Sequence, residues 1–146
     1  MDVRVLDTDA EIAAAFPLMH VLRERLRAET FVADVRAQQR DGYVLAGGFA
    51  QGGKLVTLAG FRPGLTLSRG RHLFVDDLVT DPAEQGKGYG TAMIAWLRGR
   101  AREMDLPTVC LDSRATAKGF YERCGFTMNT SIPCWIAAAA AAGAAP

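Results

Sequence analysis

Apolar positions change their period several times along this chain, and each change marks an element. Val3 to Leu6 alternates weakly and reads as a first strand. From Asp9 the spacing turns helical: Ile12, Phe16, Met19, Leu22 and Leu26 recur at threes and fours, the stripe that a helix buries on one side. Asp9 is placed as its N-cap. Pro17 lies inside the run, and a proline removes a backbone donor and crowds the turn before it. The pattern therefore predicts a kinked helix or two short ones. Phe31, Val32 and Val35 mark a further helix over Thr30 to Arg40, stopped by Asp41-Gly42.

Tyr43 to Phe49 and Leu55 to Phe61 are rich in Val, Leu and aromatics, and Ala50 to Lys54 between them holds Gly52-Gly53. This reads as a β-hairpin. Arg62-Pro63-Gly64 opens an expected loop that runs through Ser68-Arg69-Gly70. His72 to Thr80 is a third strand of this group, ended by Asp81-Pro82. Gly88 to Met104 is a long helix with Met93, Ile94, Trp96, Leu97 and Ala101 on its apolar side. After the break at Leu106-Pro107, Thr108 to Asp112 reads as a strand and Ala115 to Cys124 as a short helix capped by Gly125. Phe126 to Ile136 is expected to hold one or two closing strands around Pro133. The order predicts an α/β domain with a mixed sheet, single over residues 1–136. The alanine-rich residues 137–146 are expected to be a disordered tail or an expression remnant.

Composition narrows the function classes. A chain of 146 residues supports one core that buries roughly 70% of the unfolded surface. Hydrophobic residues make up 49% and charged residues 23%, which excludes bulk disorder. The net charge of +1 lacks the basic excess of a nucleic-acid binder, so no nucleic-acid partner is expected. Cys110, Cys124 and Cys134 are odd in number and form no CxxC pair, which argues against a disulfide framework or a zinc site. No metal is expected. The start Met1-Asp2-Val3-Arg4 has no leader pattern, and no apolar run reaches the ~18 residues of a spanning helix. The expectation is no membrane association and a cytoplasmic location.

Asp77 to Met93 is the most informative stretch. It runs from strand through turn and glycine loop into helix, with Gly86, Gly88 and Gly90 alternating. Glycine lets backbone N–H groups approach a ligand closely, and a helix start aims free N–H groups and a positive dipole end at the same place. Together they predict an anion site suited to a phosphate or diphosphate, with Lys87 adding charge. The dinucleotide spacing GxGxxG is not met. Gly48 to Lys54 satisfies GxxxxGK, but Leu55 stands where a P-loop needs Ser or Thr and opens a strand rather than a helix, so it reads as a hairpin turn.

Gln85-Gly86-Lys87-Gly88-Tyr89-Gly90 resembles the Q/R-x-x-G-x-G/A loop of the GCN5-related N-acetyltransferases (GNAT), which cradles the diphosphate of coenzyme A. Ala117 to Phe126, AKGFYERCGF, is similar to the same family's A-x-x-F-Y-x-R-x-G-F stretch. The resemblance implies an acyl-CoA N-acyltransferase fold: a mixed, mostly antiparallel central sheet flanked by helices, with a splayed strand pair for the coenzyme. It implies acetyl-CoA as cosubstrate and transfer to a primary amine by direct attack in a ternary complex. The alternative is a non-catalytic acyl-CoA-binding regulatory domain.

By the resemblance, Leu78, Val79 and Thr80 pair with the pantetheine arm. Gln85, Gly86, Lys87, Gly88, Tyr89, Gly90 and Thr91 hold the diphosphate, and Arg114, Lys118 and Phe120 also contact the coenzyme. Arg114 stands where the family often has Asn, with Ser113 beside it. Tyr121 is the implied general acid, since a phenol of pKa ~10 stays protonated at neutral pH and can donate to a thiolate. The base is open between Asp76, Asp77, His72 and a water chain. Alternation along a strand leaves one of the two aspartates facing the cleft, and either can instead bind the cationic acceptor. Glu84 reads as a loop surface residue, and the cysteines as small core residues. The acceptor is a small-molecule amine or a protein or peptide amine, and a homodimer is common among such relatives. Arg62, Arg69 and Arg71 are expected to be solvated, the alternative being that they bind a carboxylate or phosphate on the acceptor.

Overall fold

A computed structural model describes residues 1–138. Met1–Ser113 forms one compact unit, and a second begins at Arg114. The tail expected from residue 137 falls, from residue 139 on, outside the described residues.

The first unit runs β1 (Asp2–Val5), α1 (Asp9–Leu22), α2 (Ala28–Gln39), β2 (Val44–Phe49), β3 (Leu55–Thr66), β4 (Gly70–Thr80), a 3-10 turn at Pro82–Glu84, α3 (Tyr89–Glu103) and β5 (Thr108–Leu111). The five strands form one sheet in the order β1-β2-β3-β4-β5. The first four pair antiparallel, while β4 and β5 are parallel. A parallel pair needs a long crossover, and α3 provides it. This is the α/β, mixed and mostly antiparallel architecture that the sequence predicts.

Thr8, not Asp9, caps α1. The Thr8 hydroxyl accepts the Glu11 N–H (3.2 Å) and the Glu11 carboxylate accepts the Thr8 N–H (3.0 Å). Glu three residues on selects Thr8, because only that spacing closes both bonds. Those contacts, with Arg4 and the Asp7 N–H, hold the Glu11 carboxyl at a pKa of about 2. Pro17 sits inside α1 without ending it. Ile12, Ala15, Leu18 and Met19 on either side of it are buried in one cluster with Phe31 and Val35 of α2, Leu45, Leu58 and Val79. That packing outweighs the ~3 kcal/mol that an interior proline costs a helix. Met93, Ile94, Leu97 and Ala101 of α3 are buried separately, with Trp96 edge-on to Phe61, and cover the sheet's other face.

The loop expected from Arg62 is largely strand. β3 continues to Thr66 opposite β4, while β2 pairs with it only as far as Phe61. Beyond Phe61, β3 has no β2 neighbour, and Pro63 is tolerated where no ladder bond needs its N–H. Gly60 pairs with Asp77 and Phe61 with Val75, so Asp76 is an unpaired extra residue, a β-bulge. Gly60 is required there, because a Cβ would lie 1.9 Å from the Tyr43 hydroxyl.

The second unit holds a 3-10 turn at Ala115–Ala117 and α4 (Lys118–Arg123). Gly125 (φ 89°) ends α4 as expected. Its N–H reaches the Glu122 carbonyl (3.0 Å) and the Phe126 N–H reaches the Tyr121 carbonyl (3.0 Å), the paired bonds of a Schellman motif. The closing strands expected over Phe126 to Ile136 are not formed among the described residues. The Asn129 side chain accepts the Ser131 N–H (3.1 Å), a local turn that competes with a ladder, and Pro133 has no N–H to offer one.

Candidate active site

The glycine loop is shaped by its backbone. β4 ends at Thr80, and the Asp81 carboxylate accepts the Ala83 N–H (3.0 Å) to start the 3-10 turn. Gly86 and Gly88 then take φ of 80° and 84°. A Cβ at either would meet nothing within 4 Å, so conformation and not crowding demands glycine. Gly88 is the N-cap of α3 and brings no side-chain cap. The opening N–H groups of a helix of this length, with its positive dipole end, then remain available to an anion. The sequence reading of this segment as strand, loop and helix matches its geometry.

Charge beside the loop is organised. Glu84 bridges two lysines: Oε1 lies 2.8 Å from Lys54 Nζ and Oε2 lies 2.7 Å from Lys87 Nζ. Lys54 also reaches Asp81 (3.0 Å). These bonds hold the Glu84 carboxyl below its ordinary range and both ammonium groups above theirs. Glu84 is thus more than a surface residue. In the sequence Lys54 reads as part of a hairpin turn and Asp81 as a strand end, but their pairing leaves no mark there, because it joins residues far apart in the chain.

β4 and β5 part company. Their ladder covers His72–Val75 against Thr108–Leu111, while β4 stays paired to β3 through Thr80. Asp76 to Thr80 therefore have no β5 partner; the Asp76 carbonyl accepts from Arg23 (2.7 Å), and the gap-facing backbone groups beyond it make no ladder bond to β5 and can serve a ligand. Val79 has its side chain in the α1–α2 core cluster and its carbonyl bound by the Thr57 hydroxyl (2.8 Å). Leu78 is half-buried, and the Thr80 hydroxyl lies 3.3 Å from that of Thr57.

The two aspartates do not separate to opposite faces as alternation predicts. The bulge suspends strict alternation, and both join one polar cluster. Asp77 accepts from Arg23 Nε (2.8 Å) and from the Tyr43 hydroxyl (2.9 Å). Asp76 accepts from Arg62 Nε (2.9 Å), and Arg62 also donates to Gln38 (2.8 Å) and lies over the Tyr43 ring. Burial, then Asp77, pushes the Tyr43 hydroxyl far above the ordinary phenol range, so it stays a donor. Arg62 is not solvated as expected. Arg69 and Arg71 pair with Asp112 and Asp105, and Arg69 also lies over Phe74. His72 is buried, its Nδ1 2.8 Å from the Gly70 carbonyl and its ring against Gly64, a structural position.

In the second unit Tyr121 is buried, its ring edge-on to Phe120 and Phe126 at 5.1 and 5.5 Å between centroids. Burial, with a smaller effect of Cys124, raises its hydroxyl above the ordinary phenol value. Lys118 opens α4 and pairs with Glu122 (3.6 Å). Arg114 precedes the 3-10 turn and Ser113 ends the first unit. The cysteines are free, with Cys110 and Cys124 half-buried and Cys134 exposed. Exposure at Cys134 departs from the expected core position, because it lies in the strandless segment after α4. Among the described residues, no cluster of three or more His, Cys, Asp or Glu side chains is placed to hold a metal ion, and no helix is long and apolar enough to cross a membrane.

Residues 11–126 match the family model described as the acetyltransferase (GNAT) family. An uncharacterized N-acetyltransferase, YhdJ, of Bacillus subtilis (strain 168) is 31% identical over 135 residues, covering 89% of this chain and 94% of that one. An acetyltransferase of Trypanosoma brucei superposes with a TM-score of 0.76 at 26% identity, over 93% of this chain and 99% of that one. The glucosamine-6-phosphate N-acetyltransferase of Arabidopsis thaliana shares the fold, with a TM-score of 0.72 at 23% identity over 94% and 98%. The loop, the parted strands and these matches agree, and the chain belongs to the GNAT family of acetyltransferases.

Proposed function

We propose that this chain moves an acetyl group from acetyl-CoA to a primary amine by direct attack in a ternary complex. The observation that carries the reading is the departure of β4 from β5 after Val75, beside a left-handed glycine loop at the start of α3. The residues present fit the coenzyme: a backbone cradle for its diphosphate, and an unpaired strand stretch for its amide-bearing arm. When bound, acetyl-CoA supplies an activated thioester.

The chain's own groups then divide the work. Backbone N–H groups over residues 85–91 hold the diphosphate, and Lys87 adds a mobile charge. Leu78, Val79 and Thr80 pair the arm, and an N–H of this stretch polarises the thioester carbonyl, as oxyanion donors do. Tyr121 delivers a proton to the departing thiolate. Asp76 and Asp77 already accept from guanidinium groups, so they orient the acceptor's ammonium while water carries its proton away. Arg114, Lys118 and Phe120 contribute to the coenzyme site.

The deciding experiment incubates purified protein with acetyl-CoA and a panel of amines, and follows thiol release. The panel spans small amines, amino acids, amino sugars and peptides with a free N-terminus or lysine. Release that depends on one class of amine is expected. Tight coenzyme binding with transfer to no amine would replace this reading with the regulatory one.

A further inference from the structure

We propose that Lys54 is a positioning residue of the coenzyme site: by neutralising Asp81 and Glu84 it leaves Lys87 able to turn to the diphosphate. This inference rests on the reading above. The turn between β2 and β3 carries Lys54 to the glycine loop, and the backbone fixes it there. The Ala50 N–H bonds to the Lys54 carbonyl (2.9 Å), and the Asp81 N–H bonds to Val56 (2.8 Å). Two carboxylates, Asp81 and Glu84, stand at the entrance of a loop built for an anion, and left alone they would repel one. Lys54 Nζ meets both, at 3.0 and 2.8 Å, while Lys87 touches only the second oxygen of Glu84, at 2.7 Å.

Four charges thus cancel in the unliganded loop, two against two. Lys87 is more than half exposed and held at one point, so it can exchange Glu84 for a phosphate oxygen. The cost of that exchange depends on Lys54, which stays behind to hold Glu84. Without Lys54, Lys87 is the remaining cation of this cluster and is drawn back to the carboxylates. The coenzyme's arm carries no charge and its diphosphate does, so an effect of charge belongs to the diphosphate end and not to the arm.

The test compares two ligands. CoA is titrated by calorimetry, and pantetheine, which lacks the diphosphate, by shifts in protein NMR signals. Lys54→Met is expected to weaken CoA binding by about fivefold, the size of a strong near-surface charge contact, and to leave pantetheine unchanged. The double variant Lys54→Met, Glu84→Gln should recover most of the lost affinity, and Lys54→Arg should retain it. A Lys54→Met protein that binds CoA normally overturns the inference, as does equal weakening for pantetheine or failure of the second substitution to rescue. If the wild-type chain itself binds no CoA, the coenzyme reading falls and this inference falls with it.

Discussion

Asp77 illustrates how a side chain's partners limit its chemistry. Arg23 donates to one of its carboxylate oxygens and Tyr43 to the other, so both are already engaged. Asp77→Asn should therefore raise the KM for the amine while leaving CoA affinity in place, and an unchanged KM would remove Asp77 from the acceptor site. Tyr121 is the opposite case, a donor kept protonated by burial. Tyr121→Phe is expected to slow turnover by roughly tenfold or more, with coenzyme affinity retained. Because the raised hydroxyl titrates above its ordinary ~10, any loss of activity between pH 7 and 9 must come from another group. Equal turnover of the phenylalanine variant would end the assignment. Tyr121 and the loop glycines stand out in the sequence because their neighbours carry a motif. The meeting of Arg23 and Tyr43 with Asp77 does not, since they reach it from 54 and 34 residues away.

At the scale of elements, α3 with the loop before it was read nearly to its ends, since alternating glycines followed by a helical stripe leave little choice. A testable consequence follows from the φ of 84° at Gly88. Valine there would be a steric outlier, so Gly88→Val should turn the N–H groups away and abolish CoA binding. The loop is exposed, and far-ultraviolet dichroism should be unchanged. Normal affinity in that variant would refute the cradle. Where the sequence misled, a residue's local preference was overruled by its neighbours in space. Pro63-Gly64 reads as a loop, yet β4 holds it in a strand beyond the end of β2. Asp9 looked like a cap, yet Glu11 closes its box on Thr8.

For the whole molecule, the order of helices and strands sufficed for the α/β class, and the family resemblance supplied the arrangement of the sheet. Neither revealed the extra residue at Asp76, because a bulge is a mismatch in count between two strands and no single stretch records it. Its consequence reaches past its own position. Side chains along β4 keep one phase up to Val75 and resume in the other at Asp77. Excising Asp76 would restore a regular ladder in which Asp77 still pairs with Gly60 and Val79 with Leu58, so each keeps its face of the sheet. What would go is the carboxylate that Arg62 holds and the added twist that a bulge gives a strand. One surplus amino acid thus sets a charged group and a bend where β4 takes leave of β5, with the register undisturbed on either side.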